Sequence, residues 1–321
     1  MQLIDFKIVY LAEVCILLIL LYFGRGFLKK RITTLFSNAK IPPFYIFGFR
    51  LLLGLLLLER LYNAYLGNVL FIRQTSFLRI DAIFEVFFNS DYRLLILIII
   101  PLIFVGLFIF EWKPRLTSVV VFLYSVIGGT IDATISGSLG KMQHSFHMTS
   151  LMLLGFAFYY WFYYKHNGKR SNEWIILPIL LFFVATIYGS SFMSKMSYFA
   201  EVPKWFTGEA VQSAIIKGHY QRVLTSTYDE ETGYLSPIPQ FVSNHKPTAA
   251  FFGIGVLLIE FSSILLLIVN GRLRLFILIS LALFNVGAAV LILAHFNFNR
   301  NILVLMYIII WAIYNTFPKN K

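Results

Sequence analysis

The chain has 321 residues, of which 59% are hydrophobic and only 13% are charged, with a mean hydropathy of +0.76. A soluble domain is about 45–50% apolar and about 25% charged, so a single water-exposed core does not account for this composition. The formal net charge of +12 is carried without a basic patch interleaved with polar, groove-reading segments, which sets nucleic acid aside as a partner.

Apolar runs long enough to cross a hydrocarbon core fall at about nine places, since a span takes roughly 17–25 residues. The first runs from about Ile8 to Phe23 and contains the lone Cys15, which excludes an intramolecular disulfide framework and a CxxC motif. It lacks a basic leader and a small-residue cleavage site, so it reads as a retained helix. Arg25, Lys29, Lys30, Arg31 and Lys40 follow it, making residues 1–41 an extra amino-terminal span with a basic cytoplasmic loop. Residues 42–321 form the main transmembrane domain. Its spans lie near Tyr45 to Leu66, Leu94 to Phe110, Leu116 to Thr134, Met148 to Tyr164 and Trp174 to Phe192, then Ala249 to Asn270, Leu275 to Ala294 and Ile302 to Phe317. The expected fold is an all-α polytopic bundle in the cell membrane, with the lipid bilayer as its solvent.

Lys and Arg collect in short cytoplasmic loops, and alternate loops here differ clearly. One set holds Lys113 and Arg115, Lys165, Lys169 and Arg170, Arg272 and Arg274, and Lys319 and Lys321. The other set is longer and mixed in charge, including 67–92 and 199–247. This places the amino terminus outside and the carboxyl terminus in the cytoplasm. Within the outer loop 199–247, Trp205 to His219 sets Phe206, Ala210, Val211, Ala214 and Ile215 on one helical face, which predicts a helix lying along the outer membrane surface.

Ionisable residues within or at the ends of spans are expensive, so each is a candidate for function or for a buried pair. On this topology Asp132, His144, His147, Lys195, Glu209 and His295 all fall at or beyond the outer helix ends, with Glu59 and Arg60 in the outer half of their span. Together they predict a polar pocket open to the outside. Lys195 stands out because the rest of its span is almost uncharged: it is either a base held in an apolar pocket or a stem that snorkels to the interface. His144 and His147 are one helical turn apart, but two His underdetermine a metal site and no metal is expected. Arg50 pairs with Glu260 across the bundle or reaches the inner interface. No phosphate loop or hydrolase elbow is present.

Three stretches carry a family resemblance over about Phe44 to Tyr314. They are Phe49-Arg50-Leu51-Leu52-Leu53-Gly54, Gln143-His144-Ser145-Phe146, and Ser194-Lys195-Met196 followed by Trp205-Phe206-Thr207-Gly208-Glu209-Ala210. They resemble the horizontally transferred transmembrane (HTTM) family, whose best-known relatives are the vitamin K-dependent gamma-carboxylases. The resemblance implies an outward active site in which Lys195 deprotonates a reduced quinone and His144 binds or orients the reacting groups. His147, Trp205, Gly208, Glu209, Arg50, Glu59, Arg60 and His295 then line the substrate or cofactor pocket. Departing from the carboxylases, Phe284-Asn285 stands where Phe-His is expected, and the spacer from Lys195 to Trp205 is longer. The length is similar to a shorter branch of the family, that of sporulation-delaying protein B, which matures an exported peptide with a small partner subunit. The expectation is therefore modification or maturation of an exported peptide or protein. The rival expectation is a non-catalytic membrane partner, such as a toxin-maturation subunit, an immunity protein or a transporter.

Overall fold

The computed structural model describes residues 30, 34–36, 41–66, 92, 94–135, 144–164, 173–197, 202–225, 237–292 and 297–316. The expected first span and His295 lie outside the described residues, as do the side chains of Asp132, His144 and His147. Among the described residues every regular element is helical. Helix α1 spans Pro43–Leu66. A π-helical turn, Leu95–Ile99, runs directly into α2, Ile100–Ile109. Pro101 has no N–H to donate to the turn before it, and the wider turn absorbs that missing bond. Helices α3 (Pro114–Ile135), α4 (His144–Phe162) and α5 (Ile176–Ser197) follow. Three helices then form one group: α6 (Val202–Thr207), α7 (Glu209–Thr225) and α8 (Pro237–Asn244). The last long helices are α9 (Lys246–Ser263), α10 (Gly271–Ile292) and α11 (Asn297–Thr316).

Side-chain period decides how these helices pack. On α5 the residues Leu177, Leu181, Val184 and Tyr188 recur every three or four positions and are all buried. Ala249, Gly253, Leu257 and Glu260 do the same on α9. The opposite face of α9 carries Phe251, Ile254, Leu258 and Phe261, all exposed. A helix apolar on both faces, with one face uncovered by protein, suits lipid rather than water. Three helices are long and apolar enough to cross a membrane: Ile176–Met196, Lys246–Leu267 and Gly271–Leu291. Each overlaps an expected span. Every 18-residue stretch of α1 contains Arg50, Glu59 and Arg60, which keeps α1 outside that group despite its length.

Helices α1, α2 and α3 pack on one another, α3 on α4, α4 on α5, and α5 on α9. Helix α9 then packs on α10 and α10 on α11, which returns to touch α4 and α1 and closes the bundle. One large core fills it, with Phe49, Phe108, Phe156 and Tyr160 among its largest fully buried side chains. A second, small cluster joins Val211 and Ile215 of α7 to Val242, Ala249 and Leu291. Of the face expected on Trp205 to His219, Val211 and Ile215 of α7 pack on α9 and α10, while Phe206, on α6, is exposed. Helices α6–α8 thus form a cap on α9, next to the carboxyl-terminal end of α5.

The opposite end of the bundle is held by arginines. Arg115 donates to the carbonyls of Tyr160 and Tyr164 at 3.2 and 3.1 Å. Arg274 donates to those of Leu266 and Val269, both at 2.8 Å, and lies 4.3 Å from the ring centre of Phe36. Helix carboxyl ends leave carbonyls without partners and carry partial negative charge, so cations settle there.

Candidate functional site

The last turn of α5 turns its core-facing stripe from apolar to polar. Tyr188, Ser191 and Lys195 are spaced by three and then four residues, so they continue the stripe of Leu177, Leu181 and Val184 on one face. Because α5 packs on α9, this polar end meets Glu260. The Lys195 Nζ lies 2.7 and 2.8 Å from the two carboxylate oxygens of Glu260. It also donates to Ser191 Oγ at 2.7 Å, and that hydroxyl donates to Glu260 Oε1 at 2.8 Å. The three donors of the ammonium are therefore engaged within one small ring of contacts. The two side chains differ in cover, with Lys195 18% exposed and Glu260 only 3%.

Trp205 closes the other side, its ring centre 5.2 Å from Nζ. Two glycines put it there. Gly208, between α6 and α7, has φ +84°, which favours glycine, and a Cβ there would stand 2.5 Å from the Ala250 nitrogen. Gly253 of α9 leaves room for the Trp205 carbonyl, which a side chain would strike. One turn deeper on α5, the Tyr188 hydroxyl accepts from Asn285 Nδ2 at 2.7 Å, and Asn299 makes a further hydrogen-bonding contact to it. Asn285 is anchored in turn by donating to the Leu281 carbonyl at 2.7 Å. Five elements, α5, α6, α9, α10 and α11, thus build a polar centre at one end of an apolar bundle.

The remaining predicted residues are placed differently. Arg50 does not meet Glu260. Its Nη1 lies 2.5 Å from Glu111 Oε1 and donates to the Tyr160 hydroxyl at 2.9 Å, and that hydroxyl donates to Glu111 at 2.9 Å. The physical reason lies in the turn between α2 and α3, where Glu111 and Lys113 take left-handed backbone angles of φ 57° and 43° and the Glu111 carboxylate meets α1 and α4. Glu59 is exposed and Arg60 buried on α1. Glu209 is exposed at the first position of α7, where the helix dipole favours a carboxylate. His144 begins α4.

Of the residues expected at the pocket, the structure brings Lys195 and Trp205 together; Glu260 meets Lys195 rather than Arg50, and Ser191, Tyr188, Asn285, Asn299, Glu111 and Tyr160 carry contacts that the sequence does not announce. The spacing of Tyr188, Ser191 and Lys195 was the signal available for three of the residues at this centre. Among the described residues no three His, Cys, Asp or Glu side chains converge as metal ligands. Comparison of the chain with known protein families, with characterised proteins and with solved structures finds no match.

Proposed function

We propose that this chain is a multi-pass membrane protein of the HTTM type that modifies or matures an exported peptide, using Lys195 as a base in an outward-facing pocket. About nine spans, with the amino terminus outside and the carboxyl terminus cytoplasmic, give the arrangement. The orientation is supported by where the cations sit: Arg115 and Arg274 cap helix ends at the end of the bundle opposite Lys195. The observation that carries the function is the Lys195 contact set. An ammonium 2.7 Å from a carboxylate that is 3% exposed, with an indole face beside it, is an acid–base group prepared away from bulk water.

A reduced quinone is the cofactor implied by the resemblance. The residues present fit one: Trp205 offers a flat face, Lys195 a partner for a ring hydroxyl, and exposed Met193 and Phe261 an apolar flank for a tail arriving from lipid. Such a group supplies an acidic hydroxyl and reducing equivalents. The chain's own residues do the rest. Glu260 and Ser191 fix the position of Nζ, Trp205 limits water, and His144 at the start of α4 is the second candidate at this end.

In reconstituted membranes supplied with the exported peptide, Lys195→Ala lowers the rate of modification by roughly 10²–10⁴-fold, the usual contribution of a general base. Unchanged product formation contradicts the proposal. The closed geometry of the ion pair also favours a second reading, a non-catalytic membrane partner in which Lys195 and Glu260 only join α5 to α9. That reading predicts partner binding with no change in peptide mass.

A further inference from the structure

Resting on the reading of Lys195 as a base, we infer that Glu260 is the final acceptor of the proton Lys195 removes, and that the pocket takes an uncharged O–H or N–H acid. Both Glu260 oxygens lie within hydrogen-bond distance of Nζ, at 2.7 and 2.8 Å, and the Ser191 hydroxyl links the same two groups by a second route. A proton can pass from Nζ to the carboxylate with no heavy atom moving far. Taking either charge out of water is costly, and the transfer exchanges an ion pair for two uncharged groups.

The balance follows from there. The ammonium gives its proton to Glu260, leaving a neutral amine and a carboxylic acid. The amine lone pair then takes the proton of the substrate, written X–H. The X–H bond breaks, an N–H bond forms, and the electron pair stays on X. The site now holds the Lys195 ammonium, the X anion and the Glu260 carboxylic acid. In sum, X–H and carboxylate become the X anion and carboxylic acid, with Lys195 unchanged. One cation faces one anion before and after the transfer, so no unpaired charge is left in a poorly solvated site. An anionic substrate would set two negative charges against one ammonium, and their repulsion is strong where water is scarce. This selects an uncharged acid. Glu260 acts through Lys195 and is a positioning residue in this scheme, not one that touches substrate.

The test uses the full chain in lipid vesicles, with the co-expressed exported peptide and a reduced naphthoquinone as probes. Wild type is compared with Glu260→Gln, Glu260→Asp, Lys195→Met and the Lys195→Met, Glu260→Gln double variant. Three readouts are taken: peptide mass with kcat and KM, thermal stability, and the infrared carbonyl band of a protonated carboxyl during turnover. The expected result is a kcat for Glu260→Gln lowered by about 10²–10⁴-fold with KM little changed, and partial rescue by Glu260→Asp. The carboxylic-acid band appears in wild type and is missing from Glu260→Gln. The double variant is as stable as wild type yet inactive, which separates proton transfer from a structural tie. A Glu260→Gln variant with wild-type kcat, an active double variant, or a band that survives Glu260→Gln overturns the inference. If Lys195→Met is inactive while Glu260→Gln is active, only the proton's destination is wrong. If Lys195→Met retains full activity, or wild type yields no product, the reading of Lys195 as a base falls with it.

Discussion

Removing one member of the Lys195–Glu260 pair has unequal costs depending on which member is removed. Lys195→Met leaves a carboxylate that is 3% exposed facing a thioether, with only the Ser191 hydroxyl still donating to it. Leaving a buried charge without its partner costs about 3–5 kcal/mol. Glu260→Gln leaves the ammonium instead, but that side chain is 18% exposed at the last turn of α5 and its flexible stem can carry the charge toward the interface. The cost is then nearer that of lost charge-assisted hydrogen bonds, about 1.5–3 kcal/mol. The double variant, Lys195→Met with Glu260→Gln, removes both charges and is close to neutral, since a buried ion pair exchanged for neutral side chains of similar volume loses little. Graded SDS unfolding of the four proteins in one detergent gives the order: wild type and double variant most stable, Glu260→Gln next, Lys195→Met least. A double variant as unstable as the sum of the two singles refutes the reasoning, because it means the two side chains act independently.

Further outcomes follow from the other contacts. Gly208→Ala places a Cβ at φ +84° and 2.5 Å from the Ala250 nitrogen, so it costs at least the roughly 1–2 kcal/mol of a left-handed residue, loosens the cap and speeds tryptic cleavage at exposed Lys204. Cleavage at the wild-type rate contradicts the seating of Trp205 by the two glycines. Tyr160→Phe removes the hydroxyl shared by Arg50 and Glu111 while keeping the ring, and lowers stability by about 1–3 kcal/mol in the same SDS titration. Gly54→Val drives a side chain into Val105, whose Cγ1 would stand 2.6 Å from the new Cβ, and overpacking of this kind costs about 1–3 kcal/mol. For orientation, a Cys15→Ser background carrying a single cysteine at Glu209 is labelled by an impermeant maleimide in intact cells, whereas one at Lys113 is labelled only after lysis. The reverse pattern inverts the topology.

The apolar runs are legible in sequence because lipid and core both demand apolar side chains at every turn, and α5, α9 and α10 overlap the expected spans closely. Lys195 is legible for the complementary reason, as a solitary charge at the end of an uncharged run. Its partner is not. Glu260 is visible as a costly charge, but whether it meets Arg50 or Lys195 depends on which helices touch, and one sequence does not contain that order. Arg50 finds Glu111 through a left-handed turn that no sequence period announces. The apolar face of α7 shows the same limit. Its periodicity says that Val211 and Ile215 are covered, while only the packing shows that α9 and α10 supply Ala249 and Leu291 as their neighbours. The polar stripe of Tyr188, Ser191 and Lys195 was readable from spacing alone and reads most clearly once Glu260 stands opposite it.

The central claim is that Lys195 performs chemistry on an exported peptide. It is tested most directly by mass spectrometry of the peptide secreted from cells carrying wild type, Lys195→Arg or Lys195→Ala, with equal amounts of each protein in the membrane. The account predicts a mass change with wild type that is lost with Lys195→Ala and with Lys195→Arg, since a guanidinium keeps the charge but does not give up its proton. The same modified peptide from all three strains contradicts it.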